Sequence, residues 1–453
     1  MVTTGKSQGH TVDMTEGDAL KVIINFAIPL IAASVLQQLF SLTDAMVLGI
    51  FNGDLGLAVL GTCSWPIWFQ ISALTNFGQA ACLLVAVRFG AKDETAFKKS
   101  VGNVYFAAVV IGIVMMLGLQ ITAVPLLAVQ DTPKEVMADA IAYLRIIFVG
   151  TVFLLIYNVL SSLLRAVGDS VTSFLSITIS AVMNVVLDIV LVAGLRMGVS
   201  GAAIATAASQ SVSAVICIVK LRGYREFDLE KEFLKPDREL LKEYMGICVP
   251  MLAQSVVIAL GGVFVQLRIN QYGTTFAAGV SAASKIFKVV ETAAIALAQA
   301  CASFVSQNVG ARKFDRIKKA VRQVSGVSIA MAAVIGAFLL LTGKWMLSLY
   351  VTKEALPYAM GSLIVFSFGL LVMYPMYALR QIVQALGNLK IPLIAAMLQL
   401  AVRVLTAQFL PMAIGNAGLY YTNVAAWSVS IVLIGMVYPG QFKKCREKYK
   451  KNK

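Results

Sequence analysis

The chain has 453 residues, of which 59% are hydrophobic and only 13% are charged. Its mean hydropathy of +0.81 excludes an ordinary soluble domain, because such domains carry about 25% charged residues. The formal net charge of +15 would suit a nucleic-acid partner in a soluble protein. In a membrane chain it indicates an excess of lysine and arginine on the cytoplasmic side, so we expect no nucleic-acid partner.

Twelve apolar segments of membrane-spanning length follow one another along the chain, separated by short polar joints. A crossing helix needs about 20 apolar residues, so the sequence predicts an all-α membrane protein with twelve transmembrane helices. The first six segments cover residues 21–50, 56–88, 101–124, 140–164, 170–193 and 199–219. The second six cover residues 244–268, 274–306, 319–341, 358–386, 391–413 and 416–438.

A charged stretch at 220–243 separates the two sets of six segments. We expect it to be a solvated, partly helical cytoplasmic linker between an N-lobe at 21–219 and a C-lobe at 244–438. A polar segment at 1–20 and a basic tail at 439–453 complete the predicted organisation. Lysine and arginine concentrate in the linker, in the tail and in joints on the same side. The positive-inside rule therefore predicts a multi-pass plasma-membrane protein with both termini in the cytoplasm.

The two halves repeat each other in sequence. IPLIAASVLQQLF (28–40) matches VPMLAQSVVIALG (249–261), and LLRAVGDSVTSFL (163–175) matches IVQALGNLKIPLI (382–394). Because six crossings are an even number, both copies enter the membrane from the same side and are parallel repeats. We therefore predict two parallel-repeat six-helix lobes, an arrangement in which transporters commonly bind substrate between repeats and alternate access.

Two carboxylates interrupt the apolar segments, Asp44 in the first and Asp188 in the fifth. Charged groups in hydrocarbon are costly and indicate function by default. The repeat places Val265 and a position near Ala407 at the corresponding points of the second half. Packing alone therefore does not require an acid at either place, and the pattern indicates a proton or ion site in the first half.

Residue counting places both aspartates at a similar depth, roughly 8–9 Å below the outer helix ends at 1.5 Å per residue. Asn184 precedes Asp188 by one helical turn and lies on the same face. Thr206, in the sixth segment, is expected at a similar depth. We predict that these four residues line one proton- or cation-coupling and substrate pocket. The alternative is that each aspartate only hydrogen-bonds to neighbouring hydroxyls and ties helices together.

Few residues suit catalysis or metal binding. His10 is the only histidine, and the six cysteines show no CxxC spacing, which disfavours a metal site and Ser–His hydrolysis. The stretch TTGKS (3–7) lacks the leading glycine of a phosphate loop. We therefore expect no metal, no cofactor and no enzymatic activity, and we infer no obligate protein partner. The cysteines are interpreted as small hydrophobic residues.

Short motifs occur in a fixed order along residues 20–440. They are LTDAMVLG in the first segment, FGAKD after the second, LLRAVGDS after the fourth, NVVLD in the fifth, GVSGAAIAT in the sixth, SQNVGAR after the eighth and VQALGN after the tenth. In this ordered set the chain resembles the multidrug and toxic compound extrusion (MATE) family. The resemblance implies a two-lobe secondary active antiporter in the bilayer that exports bulky amphiphilic, often cationic, organic compounds.

The resemblance also implies roles for individual residues. The DNA-damage-inducible-protein-F-like branch carries two aspartates, an asparagine and a threonine in the first lobe, and these match Asp44, Asp188, Asn184 and Thr206. A proline at which the first helix is proposed to bend on protonation matches Pro29, and an asparagine of the fourth span matches Asn158. The sodium-coupled branch places acids in the seventh span, where this chain has none. The expected coupling ion is therefore H⁺, with Na⁺ as the alternative.

Two charged residues of the second half, Glu291 and Arg403, leave alternatives open. Glu291 follows Lys288 by three residues, which favours an ion pair over a second proton or cation-binding group. Arg403 takes the place of Asn184 in the repeat, and would hold an anionic substrate or neutralise Glu291. Arg380 lies near a segment end and is expected to reach the interface with its charged head.

The alternative function is a lipid-linked precursor flippase, since a related superfamily shares the two-lobe plan. Such a flippase would need a cluster of cationic side chains for a pyrophosphate headgroup, and Arg403 is the one clear candidate in the sequence.

Overall fold

The computed structural model describes residues 13–130, 132–349 and 351–451, and in that part of the chain it contains helices and no strand. His10 and the stretch TTGKS lie outside the described residues. Hydrocarbon offers no water to backbone N–H and C=O groups, so long apolar segments form helices, which pair these groups internally. The principal helices are α1 (Ala19–Gly90), α2 (Glu94–Val129), α3 (Lys134–Val149), α4 (Thr151–Ala166), α5 (Ser170–Asp188), α6 (Gly198–Leu221), α7 (Arg238–Asn270), α8 (Thr274–Gly310), α9 (Phe314–Ser348), α10 (Leu356–Ala385), α11 (Lys390–Ile414) and α12 (Gly418–Lys451).

The helices differ from the predicted spans at two places. α1 holds the first two predicted spans in one 72-residue helix, which is kinked at Gly53 (φ 60°, ψ −149°). The fourth span is broken, because α3 and α4 meet at Gly150 with a bend of 42°. We count α1 as two crossings, α3 with α4 as one, and α11 and α12 as separate crossings. The described chain then has six crossings in each half. The predicted all-α membrane fold is confirmed.

Both halves turn at matching positions of the repeat. Lys92 and Arg312 follow the second crossing of their halves, and both have positive φ values, 57° and 58°. Residues other than glycine rarely adopt this left-handed backbone conformation. Three glycine pairs share it as well: Gly53 with Gly273, Gly168 with Gly387, and Gly198 with Gly415. The shared turns show that the two halves repeat one backbone pattern.

The described chain forms two compact units. Unit 1 contains Ile28–Cys248, and unit 2 contains Met14–Ala27 together with Val249–Lys453. The start of α1 therefore groups with the second half of the sequence, although the predicted N-lobe began at residue 21.

Each unit has its own apolar core. In unit 1, Leu48, Leu144 and Phe148 are fully buried in one cluster. In unit 2, Phe287 stacks on Trp427 with 5.4 Å between ring centroids, within a cluster built mainly on α8, α9 and α10. All six cysteines are buried and unbridged, as expected of small hydrophobic residues.

The linker between α6 and α7 is partly buried, although the sequence predicted a solvated connector. Tyr224 and Phe227 are buried, and the Tyr224 hydroxyl donates to Oδ2 of Asp169 at 2.5 Å. Burial and this hydrogen bond raise the pKa of Tyr224, which keeps the donor protonated. The backbone N–H of Asp237 donates to Oδ1 of Asn103 at 2.7 Å. The many charges of the linker favoured a solvated connector in the sequence analysis. These aromatic and polar contacts instead hold the linker against the rest of unit 1.

Gly102 on α2 makes a close backbone contact with the linker. A Cβ built at this position would lie 1.9 Å from the carbonyl oxygen of Phe233. Such a separation is impossible without a backbone shift, so glycine is required where the turn at Lys231–Leu234 rests on α2.

Residues 14–17, which we call the N-terminal clasp, are held by the α8–α9 turn of unit 2. The guanidinium of Arg316 donates to the carbonyl oxygens of Met14 and Glu16, the latter at 2.6 Å, and also to that of Gly17. Lys313 donates from Nζ to the carbonyl oxygen of Thr15 at 2.8 Å. Met14 is fully buried. The clasp therefore fixes the start of α1 to unit 2.

We expect Gly102→Ala to lower the thermal unfolding temperature and to expose the linker to protease. The added methyl must displace the Phe233 backbone, and overpacking of this kind costs about 1–3 kcal/mol. Thermal unfolding of the purified protein and cleavage within residues 222–237 provide the measurement. Gly118→Ala is the matched control, because it lies on the same helix with no atom within 4 Å of its Cβ. Equal unfolding temperatures for the two variants would contradict the proposed contact.

We expect Arg316→Ala to release the clasp and to lower the unfolding temperature by several degrees. Hydrogen bonds to charged groups contribute about 1.5–3 kcal/mol, and each kcal/mol corresponds to roughly 2–4 °C at this domain size. Limited proteolysis near residue 14 and thermal unfolding together measure the effect. Arg322→Ala, an exposed site on α9, removes the same charge and should leave both readouts unchanged. If the two variants behave alike, the clasp does not stabilise unit 2.

Candidate functional site

Asp44 and Asp188 meet inside unit 1. Asp44 lies on α1 and is half-buried, whereas Asp188 ends α5 and is fully buried. Their carboxyl groups are close enough to interact directly. Within the described part of the chain, no donor reaches Oδ1 of Asp44 or either oxygen of Asp188. A single proton between the two groups would supply a donor where none is present.

The buried face of α5 explains why Asp188 points inward. Its buried residues are all polar or small, and they include Ser176, Ser180, Asn184 and Asp188 at successive intervals of four. The apolar residues of the helix, such as Val182, lie on the exposed face. A helix of a soluble protein has the opposite arrangement, with apolar residues buried and polar residues exposed. The pattern of α5 is expected where the outer face meets lipid and the inner face meets protein. α5 therefore presents a polar stripe to the interior of unit 1.

Hydrogen bonds to α6 hold this stripe in place. Ser180 donates to the carbonyl oxygen of Ser209 at 2.5 Å, and Ser213 donates to that of Ser176 at 3.2 Å. Directly after Asp188 the chain widens into a π-helical turn, Ile189–Gly194. Turns of this kind occur frequently at functional sites. The aspartate thus sits where a rigid helix ends and an irregular one begins.

Asn184 and Thr206 occupy different environments. Asn184 is buried one turn before Asp188, and its amide nitrogen has no acceptor among the described residues. Thr206 on α6 is half-buried, and its backbone carbonyl accepts a hydrogen bond from Ser209. The structure shows no hydrogen bond from the described Thr206 side chain to either carboxyl group. Asn184 therefore has a free donor close to the acids, whereas Thr206 remains a predicted member of the pocket.

Asn158 and Pro29 remain predicted site residues, and neither has a hydrogen bond to the acids among the described residues. The amide of Asn158 donates to the carbonyl oxygen of Leu154 at 2.8 Å, within α4. Pro29 lies inside α1 and is half-buried. Proline cannot donate the backbone hydrogen bond of its turn, so α1 is locally weaker there.

Tyr143 is a residue of this site that the sequence did not reveal. It lies on α3, is 6% exposed and is within electrostatic range of both Asp44 and Asp188. Its phenol is a proton donor that the neighbouring apolar side chains lack, although it makes no hydrogen bond to either carboxyl group among the described residues. In the sequence Tyr143 is one aromatic residue in an apolar run, with no charge or spacing to distinguish it from core residues.

Glu291 has a complete set of partners in unit 2. Lys288 donates to Oε2 at 3.0 Å, and the Tyr377 hydroxyl donates to Oε1 at 2.6 Å. Arg403 is buried and donates from Nη1 to the carbonyl oxygen of Ile258 at 2.9 Å. The arrangement accords with the expected Lys288–Glu291 ion pair, while Arg403 makes its hydrogen bond elsewhere.

Arg380 was expected to reach the membrane interface, and this expectation is wrong. Its side chain is 8% exposed, and its guanidinium carbon lies 4.3 Å from the ring centroid of Tyr377. The aromatic face provides a favourable site for the cation, which keeps the arginine inside the unit.

No group of three or more His, Cys, Asp or Glu side chains is placed to hold a metal ion in residues 13–130, 132–349 and 351–451.

Comparisons with known proteins agree with this fold and these spans. The profile described as MatE matches residues 29–190 and 250–408. Probable multidrug resistance protein YoeA of Bacillus subtilis (strain 168) is 27% identical over 369 residues, which cover 80% of this chain and 79% of that protein. Multidrug export protein MepA of Staphylococcus saprophyticus is 22% identical over 343 residues, which cover 75% and 76% of the two chains.

A solved structure described as the outward-facing conformation of a multidrug resistance MATE family transporter of the MOP superfamily has a TM-score of 0.90 to this chain. It is 20% identical and covers 97% of this chain and 100% of its own, so it shows the fold. Because the MatE profile matches more than half of the sequence and falls in both halves of the repeat, the chain belongs to the MatE family, the multidrug and toxic compound extrusion transporters that its motifs resemble.

Proposed function

We propose that the protein is a secondary active multidrug exporter that exchanges inward-moving protons for small amphiphilic, cationic organic compounds. The observation that carries this proposal is the Asp44–Asp188 pair, whose adjacent carboxyl groups lack donors among the described residues. The relatives YoeA and MepA, whose names refer to multidrug resistance and multidrug export, support the substrate class. The proposed location is the plasma membrane, with both termini in the cytoplasm and no obligate protein partner.

In the proposed cycle the paired acids bind either protons or a cation. When both are ionised, the two negative charges attract a cationic substrate and Asn184 offers an amide donor. When protons arrive, the charge is lost and the substrate is released. The membrane potential supplies about 2.3 kcal/mol per charge for every 100 mV, which favours inward proton movement. Pro29, where α1 lacks a backbone hydrogen bond, is the proposed position at which the helix bends.

A lipid-linked precursor flippase is the second candidate function. Two buried arginines of unit 2, Arg380 and Arg403, are the observation that favours it. A pyrophosphate headgroup carries several negative charges and would need cationic partners. Glu291 and Lys288 neutralise each other, which leaves the two arginines as those partners. The exporter remains the better-supported function because it uses the paired acids.

We expect Asp188→Asn and Asp44→Asn to abolish most of the efflux of a cationic dye from cells. Asparagine keeps the size of the side chain but cannot exchange a proton at physiological pH. Dye accumulation, normalised to the amount of protein in the membrane, is the measurement. Asp54→Asn, an exposed site on α1, is the matched control and should retain efflux. Wild-type efflux in Asp188→Asn would end the proposal.

We expect an imposed proton gradient to drive substrate counterflow in proteoliposomes that contain no sodium. The coupling ion is proposed to be H⁺ because the seventh span carries no acid, while Na⁺ is the alternative. Transport is measured under a pH gradient alone, under a sodium gradient alone, and under neither. Transport that requires sodium and ignores the pH gradient would replace H⁺ by Na⁺ in the scheme without removing the exporter.

A further inference from the structure

Unit 2 contains a group of charged side chains on α8, α10 and α11. We call it the unit 2 charge cluster, and it consists of Lys288, Glu291, Tyr377, Arg380 and Arg403. Tyr377 is at its centre, because it hydrogen-bonds to Glu291, stacks on Arg380 and is in electrostatic range of Arg403. Three of the five residues are cationic and one is anionic, so positive charge is in excess.

The single carboxylate of the cluster is already neutralised. Glu291 accepts hydrogen bonds from Lys288 and Tyr377. Three ion pairs occur between the side chains that the structure describes, and neither Arg380 nor Arg403 belongs to one. Neither arginine therefore has a hydrogen-bonded counter-ion among the described residues.

The guanidinium of Arg403 makes one hydrogen bond in the described chain and leaves other N–H donors without an acceptor. The side chain is 6% exposed, and Nη1 donates to Ile258, but the buried Nε has no acceptor among the described residues. A guanidinium has five donors in a planar fork that matches a carboxylate. Gly261 leaves the space for this fork, because a Cβ there would lie 3.0 Å from Cδ and 3.1 Å from Nη1 of Arg403.

Arg380 adds a second buried charge. It is 8% exposed and lies over the Tyr377 ring, which stabilises the cation but accepts no conventional hydrogen bond from it. Arg403 is in electrostatic range of Glu291, which attracts it, and of Arg380, which repels it. The one carboxylate of the cluster faces three cationic groups, and buried charge without a full counter-charge is costly, so a bound anion would offset both the desolvation and the repulsion.

We propose that Arg380 and Arg403 form a binding site for a small monovalent anion, which is a carboxylate or a halide. A carboxylate fits the fork of Arg403 because two parallel N–H donors can bind its two oxygens. Free chloride and the carboxylate of an organic compound share this chemistry, and the effect of each ligand measured separately distinguishes the two sources. A cation is not the expected ligand, since Glu291 is already paired and positive charge prevails around it.

The proposed anion site does not depend on the aspartate pair. All residues of the cluster belong to unit 2, and Asp44 and Asp188 belong to unit 1. Failure of proton coupling would leave anion binding intact, and failure of anion binding would leave proton coupling intact.

The test uses the purified full-length protein in nanodiscs and radiolabelled benzoate, with binding followed by scintillation proximity at constant ionic strength. We expect saturable binding that unlabelled chloride displaces. Arg403→Gln should weaken binding by about tenfold or more, the loss of a charge-assisted hydrogen bond. Arg145→Gln, an exposed arginine of unit 1, removes the same charge and should bind as the wild type does.

Gly261→Ala provides a second variant that changes no charge. Its methyl group forces the Arg403 side chain to move by a few tenths of an ångström, while alanine favours the helix. We expect weaker benzoate binding with an unchanged unfolding temperature. This variant and Arg380→Gln decide the question if Arg403→Gln does not fold.

Four outcomes are distinguished. Benzoate binding that chloride displaces supports one shared site. If benzoate does not bind but chloride raises the unfolding temperature, and this rise requires Arg403, the site is a halide site. Preferential binding of inorganic pyrophosphate over benzoate overturns the monovalent assignment and favours the flippase. The proposal is also overturned if neither benzoate nor chloride produces an effect that depends on Arg403 or Gly261.

Discussion

The absence of water in the hydrocarbon core is the constraint on which this structure depends. Every backbone N–H and C=O must be paired within the protein, and helices satisfy this requirement without a partner segment. Side chains meet the same requirement locally, since many buried or half-buried hydroxyls donate to the carbonyl oxygen four residues earlier, as Ser176 and Ser367 do. Buried polar atoms without a partner remain at several described positions, and those of Asp188 and Arg403 lie beside other charged groups.

The two halves share a backbone but differ in the charge of their polar sites. Matching left-handed residues, such as Lys92 and Arg312, turn the chain at corresponding points. Unit 1 has two acids side by side, whereas unit 2 has an excess of basic residues around Tyr377. Arg403 occupies the repeat position of Asn184. A repeated backbone fixes where helices pack, while each buried position can carry either sign of charge if partners or ligands compensate it.

Much of the candidate site follows from spacing along single helices. Asn184 and Asp188 share a face because they are four residues apart, and Lys288 can reach Glu291 because they are three apart. Tyr143 was not identified, since its place near Asp44 and Asp188 depends on side chains from other helices. Arg380 was placed wrongly for a different reason: its position near a segment end favoured the interface, whereas the ring of Tyr377, three residues earlier on the same helix α10, holds it inside.

The sequence by itself determined the membrane class, the twelve crossings, the two-lobe plan and the family, because hydrophobic length and repeated motifs are local properties. Only the tertiary structure decided that the start of α1 groups with unit 2, that the linker is anchored by Tyr224, and that Glu291 binds Tyr377. It also placed the Asp44 and Asp188 carboxyl groups next to each other. These features depend on which helix faces which, and hydropathy does not specify helix partners, because lipid tails are as apolar as a neighbouring helix.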